Sequence, residues 1–285
     1  GVETPSNRTQ AIGNRKRVTN IMTTSVDDGT ALDAVDGHVA ATNAAKVLRA
    51  EGLVKRVKSP EGSLTILDDL SFDVAPGESI AIVGVSGAGK STLLGLLAGL
   101  DVPTEGRVLL EGHDLSVLDE DGRAAVRSDH VGFVFQSFHL IPSLTALENV
   151  MLPLELAGHP DPAGSALAAL EAVGLEARVG HYPRQLSGGE KQRVAIARAF
   201  VIDPKVLFAD EPTGNLDQRT GEAIVELLFR LNQDSGATLV LVTHDLELAR
   251  RCDRILYMEA GRLEREEHTG KSERPTTPAG LAAAP

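Results

Sequence analysis

The chain has 285 residues, with 28 Lys and Arg against 40 Asp and Glu for a formal charge of -12, and 42% apolar but only 3% aromatic residues. That length and apolar content suit one large domain or two modest ones with a real core. The acidic balance and the lack of Trp argue against a chain that coats nucleic acid or anionic lipid, because neutralising phosphates takes Lys and Arg and stacking bases takes aromatics.

Residues 1 to about 50 are rich in Ala, Thr, Asn, Asp and Gly and show no sustained period of 2 or 3.6, so a disordered extension is expected. Within it, the basic Arg15-Lys16-Arg17 precedes a stretch, Val18 to Val26, too polar for a signal-peptide core. From about Leu53 short apolar runs begin, and Leu64 to Leu67, Ser79 to Val83, Val131 to Phe135, Val206 to Ala209, Thr238 to Val242 and Arg254 to Met258 are expected strands. Several of these, such as Leu239-Val240-Leu241-Val242, do not alternate, which suits central strands covered on both faces. Helical patterns lie between them, so an α/β layered domain follows. Leu144, Leu147, Val150 and Leu154, then Leu167, Leu170 and Val173, recur at three-to-four spacing and predict a helical insertion over 143 to 185. After about Glu267 the composition again predicts a disordered tail. The longest leucine-rich stretch, Leu93 to Leu100, is about two helical turns, far short of a membrane span. Cys252, the single cysteine, cannot form an intramolecular disulfide, which suits a reducing compartment, and the histidines other than His244 show no metal-like spacing.

Gly84-Val85-Ser86-Gly87-Ala88-Gly89-Lys90-Ser91 fits G-x-x-x-x-G-K-[ST] between an apolar strand and a leucine-rich helix. Glycines let backbone N–H groups face phosphate oxygens at a helix N-terminus, Lys90 reaches the β- and γ-phosphates, and Ser91 can ligate Mg²⁺. Asp210 and Glu211 end the strand 206–209, where they would stand at the carboxyl edge of the sheet. Asp210 would hold Mg²⁺ through water while Glu211 serves as general base toward an attacking water.

Leu186-Ser187-Gly188-Gly189-Glu190-Lys191-Gln192 resembles the signature motif of ATP-binding cassette (ABC) ATPases, and the family's other motifs are present in order. Gln136 resembles the Q-loop glutamine, Asn215-Leu216-Asp217 the D-loop, and His244 the switch histidine. The resemblance spans about 51–267. It implies a P-loop ATPase core, a mixed sheet with helices on both sides, carrying an inserted helical subdomain at about 137–185. It also implies ATP and Mg²⁺ as ligands, with Gly84, Ser86, Gly87, Ala88, Gly89, Lys90, Ser91 and Thr92 around the phosphates and Ser91, Gln136 and Asp210 at the metal. Glu211, His244 and Gln136 become the catalytic set. In the family, Ser187, Gly188, Gly189 and Asp217 act across a head-to-tail homodimer on the partner's nucleotide, and the dimer drives a separate membrane permease from the cytoplasmic side of the inner membrane. No nucleic-acid partner is implied.

Glu211-Pro212-Thr213-Gly214-Asn215-Leu216-Asp217, with the 131–150 region, resembles the subgroup serving lipoprotein release, macrolide export and the cell-division permease, and within it the Ybb-type branch. Export or mechanical transmission is the activity so implied; an importer ATPase and a soluble, non-transport ABC ATPase are the alternatives. One departure stands out. Many family members stack adenine on an aromatic 25 to 30 residues before the phosphate loop, where this chain has Val57, and no aromatic precedes Phe72.

Overall fold

The computed structural model describes residues 46–59 and 62–270. The strands expected from unbroken apolar runs lie inside a six-stranded sheet: β3 (Ser79–Gly84), β6 (Val131–Phe135), β7 (Val206–Asp210), β8 (Thr238–Val242) and β9 (Arg254–Glu259) are parallel, and β10 (Arg262–His268) closes one edge antiparallel to β9. The strand order is β10-β9-β3-β8-β7-β6. A second, antiparallel sheet is built from β1 (Leu48–Ser59), β2 (Gly62–Val74), β4 (Glu105–Leu110) and β5 (His113–Asp114) in the order β2-β1-β4-β5.

Every residue of β8 is buried because both faces of the large sheet are covered. Ile80, Ile82, Phe208, Val240 and Val242 face a core shared with α1 (Lys90–Leu97) and the antiparallel sheet. Ala81, Leu207, Ala209, Leu239 and Leu241 face the other way, onto α5 (Gly188–Phe200) and α6 (Gln218–Ser235). The same second core takes in α3 (Ala146–Leu156) and α4 (Pro162–Ala172), which pack on α5 and form the helical subdomain. Two more helices complete the chain order: α2 (Glu120–His130) before β6 and α7 (Leu246–Ala249) after β8.

Several boundaries differ from the sequence reading. β1 begins at Leu48, with Val47, Leu48 and Ala50 buried, inside the segment expected to be an extension; residues 1–45 lie outside the described residues. The expected strand at Leu64–Leu67 lies in the first half of a 13-residue strand. β10 passes Glu267 and is followed by Thr269, whose hydroxyl donates to the Cys252 carbonyl at 2.6 Å; the tail proper, 271–285, is outside the described residues. Leu167, expected on the inner face of the insertion, is exposed, and α4 instead packs through Ala166 and Leu170. α5 starts at Gly188, with Ser187 as its N-cap.

Candidate functional site

The parallel register sets the site's layout. Phe135, Asp210 and Val242 are aligned across β6, β7 and β8, so the next residues, Gln136, Glu211 and Thr243-His244, emerge together at the carboxyl edge. β3 ends at Gly84 on the same edge, and the loop from Val85 to Gly89 leads into α1.

That loop is shaped for an anion. Gly89 has φ of 95°, and a Cβ there would lie 2.7 Å from the Leu67 side chain and 3.0 Å from the Ile66 carbonyl, so only glycine fits. Among the described α-helices, α1 is the one with no side-chain N-cap; Asp119, Thr145, Asp161, Ser187, Asp217 and Asp245 cap the others. Its first-turn N–H groups therefore suit a phosphate. Lys90 Nζ donates to the Gly84 carbonyl at 2.8 Å and to the Val85 carbonyl at 3.1 Å, holding the ammonium at the loop's rim.

Ser91 Oγ donates to Asp210 Oδ2 at 3.4 Å, bringing together the expected magnesium oxygens. Burial, and next the neighbouring Glu211 charge, push the Asp210 carboxyl above the usual aspartate range, against the opposing effects of Ser91 and Lys90. A divalent cation would relieve both strains. Among the described residues no group of three or more His, Cys, Asp or Glu is placed to hold a metal; a hydroxyl and one carboxylate fit an ion that takes its remaining oxygens from phosphate and water.

Glu211 sits at φ of 45°, costly for a side-chain-bearing residue, with its N–H donating to the Val242 carbonyl at 2.9 Å. Its Oε1 is 2.8 Å from His244 Nδ1, and its Oε2 accepts from Thr243 Oγ1 at 3.5 Å. The two residues expected to act on water are thus in contact. Gln136 reaches a different partner: its Nε2 donates to Asn215 Oδ1 at 3.2 Å, and Asn215 Nδ2 returns a bond to the Gln136 carbonyl at 3.0 Å. A Cβ on Gly214 would fall 2.6 Å from that glutamine amide.

Ser187 caps α5 through a reciprocal box. Its N–H and hydroxyl both donate to Glu190 Oε2 at 2.8 Å, and the Glu190 N–H donates to Ser187 Oγ at 3.3 Å. Arg178 Nε adds a bond to Glu190 Oε1 at 2.9 Å. The Ser187 backbone N–H, then Arg178 and the serine hydroxyl, hold the Glu190 carboxyl down at about 2. These groups border a cavity of about 690 Å³ with Gly188, Gly189 and Asp217, to which no residue of the phosphate loop contributes. The signature residues and the phosphate loop therefore form two separate surfaces of one chain. Val57 is half-buried in the β1–β2 hairpin opposite Leu64, on the hairpin whose Ile66 and Leu67 lie under Gly89.

The family model described as ABC transporter matches residues 67–214, more than half of the chain. The chain belongs to the ABC transporter family. It is an ATP-binding and ATP-hydrolysing subunit of that family. The uncharacterized ABC transporter ATP-binding protein YbbA of Escherichia coli strain K12 is 54% identical over 225 residues, covering 78% of this chain and 99% of that protein. The lipoprotein-releasing system ATP-binding protein LolD of Xanthomonas campestris pv. campestris strain 8004 is 49% identical over 229 residues, covering 80% and 96%. Among solved structures, the ATP-binding cassette MJ0796, dimeric in a post-hydrolysis state with ADP and Pi, is 43% identical with a TM-score of 0.73 over 78% of this chain and 98% of that one.

Sequence reasoning gave no individual role to three side chains that brace this ABC ATPase's candidate site, although Gln192 ends the quoted signature motif. Arg198 on α5 donates to backbone carbonyls just after Gln136. Asn149, fully buried on α3, accepts from the Ile141 N–H at 2.8 Å and donates to the Ile141, Leu144 and Thr145 carbonyls, fixing the turn into the helical subdomain. Gln192, also fully buried, donates to the Pro212 carbonyl at 2.6 Å. Beyond motif membership, the local signal for each was a polar residue on an otherwise apolar helix face.

Proposed function

We propose that this ABC ATPase works as a homodimer that couples ATP hydrolysis to a separate membrane permease of the export or mechanical-transmission type, at the cytoplasmic side of the membrane. Kinship to LolD-type and YbbA-type proteins favours that class over an importer, and the dimeric MJ0796 cassette supports the pairing. Among the described residues no helix is long and apolar enough to cross a membrane, so a spanning partner would come from another chain.

The assignments follow from position. Backbone N–H groups of Gly84 to Thr92 and Lys90 hold the ATP phosphates. Ser91, and Asp210 through water, would hold magnesium, which would supply charge neutralisation to the bound phosphates. Glu211 takes a proton from the attacking water, and His244, 2.8 Å from Glu211 Oε1, holds that carboxylate so that Oε2 is presented to the water. Gln136, bonded here to Asn215, would help hold the metal and report nucleotide state to the helical subdomain. Ser187, Gly188 and Gly189 offer the N-terminus of α5 to the γ-phosphate bound by the partner, and Asp217 crosses the same interface.

The 2.8 Å contact between Glu211 and His244, at the sheet edge where the phosphate loop also lies, supports this reading, in which one is the proton acceptor and the other orients it. Phosphate release by the purified chain with MgATP, set beside Glu211→Gln, tests it. The variant should bind ATP, lose turnover and persist as an ATP-dependent dimer in gel filtration. Turnover at the wild-type rate would remove Glu211 from the role.

A further inference from the structure

Gln192 and Pro212 join two parts of the chain that serve different nucleotides. α5 carries Ser187 at its N-cap and Gln192 one turn later, with its side chain fully buried. Its Nε2 donates to the carbonyl of Pro212 at 2.6 Å, and Pro212 directly follows Glu211. The Glu211 peptide is therefore gripped on both sides: its N–H bonds to Val242 of β8, and the next carbonyl receives the Gln192 amide from α5. Its left-handed φ of 45° needs such support to persist.

The other end of the same amide makes packing a poor explanation. Gln192 Oε1 is buried and accepts no hydrogen bond from the protein among the described residues. An unpaired buried acceptor costs about 1 to 3 kcal/mol, so an apolar side chain of similar shape would serve packing better. What the glutamine contributes is the single bond to the loop that carries Glu211.

We infer that Gln192 is a positioning residue that ties the aim of Glu211 to the seating of α5, so that a subunit's base is correctly placed only when that subunit's own Ser187 end is engaged by the partner's ATP. This rests on the roles proposed above for Glu211 and Ser187. Its consequence is that the two ATP sites of the dimer fire in a coupled manner through one side-chain hydrogen bond in each subunit. α5 is a rigid element touching both ends of the link, which is the physical route such coupling needs.

Gln192→Met keeps the length and removes the donor. Expected are a kcat at least tenfold lower, an ATP KM within about twofold of wild type, a Hill coefficient for ATP falling toward one, and a melting temperature unchanged or raised. Gln192→Glu keeps the shape but offers a donor only when protonated; its rate relative to wild type should rise between pH 8 and pH 6, as burial favours the neutral acid. Wild-type kcat and Hill coefficient in Gln192→Met would overturn the inference. So would a parallel loss of melting temperature, kcat and KM in both variants with no pH-dependent recovery in Gln192→Glu, which marks a packing residue. Glu211→Gln run alongside separates the levels: if it turns over normally the underlying reading fails, whereas an inactive Glu211→Gln with a normal Gln192→Met sinks the coupling alone.

Discussion

Arg198 Nη1 donates to the carbonyl of His139 at 2.7 Å, and its Nη2 reaches the Phe138 carbonyl at 3.1 Å. Both loop residues have positive φ, 61° for Phe138 and 47° for His139. The segment after Gln136, strained in backbone, is thereby pinned to α5 by one guanidinium whose pKa burial has lowered. Replacing Arg198 with Met leaves two carbonyls without their charged donor and should destabilise the chain by at least about 2 kcal/mol. Urea denaturation checks this, and a change within about 0.5 kcal/mol would show that the bonds are dispensable.

Asp210 should be a residue whose removal stabilises. Its folded carboxyl is raised by burial and by Glu211, so its contribution is most favourable below its ordinary value of 3.8 and becomes a cost as pH rises through the raised value. Asp210→Asn is therefore expected to melt higher than wild type at pH 7, with the gap closing as pH falls toward 4, while MgATP hydrolysis is lost. A lower melting temperature at pH 7 contradicts the account.

Glu190 has the opposite sign. Held at about 2 rather than 4.5, it contributes stability that is fully present above 4.5 and drains away as pH falls toward about 2. Glu190→Gln retains an acceptor for the Ser187 N–H but loses the ion pair with Arg178. Its melting temperature should sit below wild type at pH 7 and converge with it between pH 4.5 and 2. Parallel acid profiles for the two proteins would refute this.

Val57 tests how the base is held. A base-aromatic stack is worth about 1 to 3 kcal/mol, so Val57→Tyr should tighten ATP binding roughly tenfold or more by equilibrium titration, and the wild-type chain should discriminate weakly between ATP and GTP. Unchanged affinity in the variant places the base elsewhere.

Much of this molecule was legible because its chemistry sits where strands stop. The runs ending at Val83, Ala209 and Val242 could be read as central strands and the run ending at Phe135 as a strand, and parallel register then brings the residues just past their ends onto one edge. β1 and β10 were harder, since Glu51, Lys55, Arg56 and Lys58 in one and Arg262 to His268 in the other mask any apolar pattern. The bonds from Gln192 to Pro212 and from Arg198 to His139 span 20 and 59 residues. Helical spacing speaks only to neighbours three or four apart, so it could not have announced them. Leu167 shows the converse: its spacing was right for an inner face, but with Ala166 and Leu170 supplying the contact it points outward.

The uncapped start of α1 has a consequence for the order of events. On the proposed reading, nucleotide phosphate is the seventh cap among the described α-helices, supplied from solution while the other six are written in the chain. On that reading, losing the γ-phosphate would open the contact with the partner subunit, while the α- and β-phosphates of ADP would still cover those first-turn amides. Separation of the two subunits and the uncapping of α1 would thus be distinct moments, the second belonging to the departure of ADP.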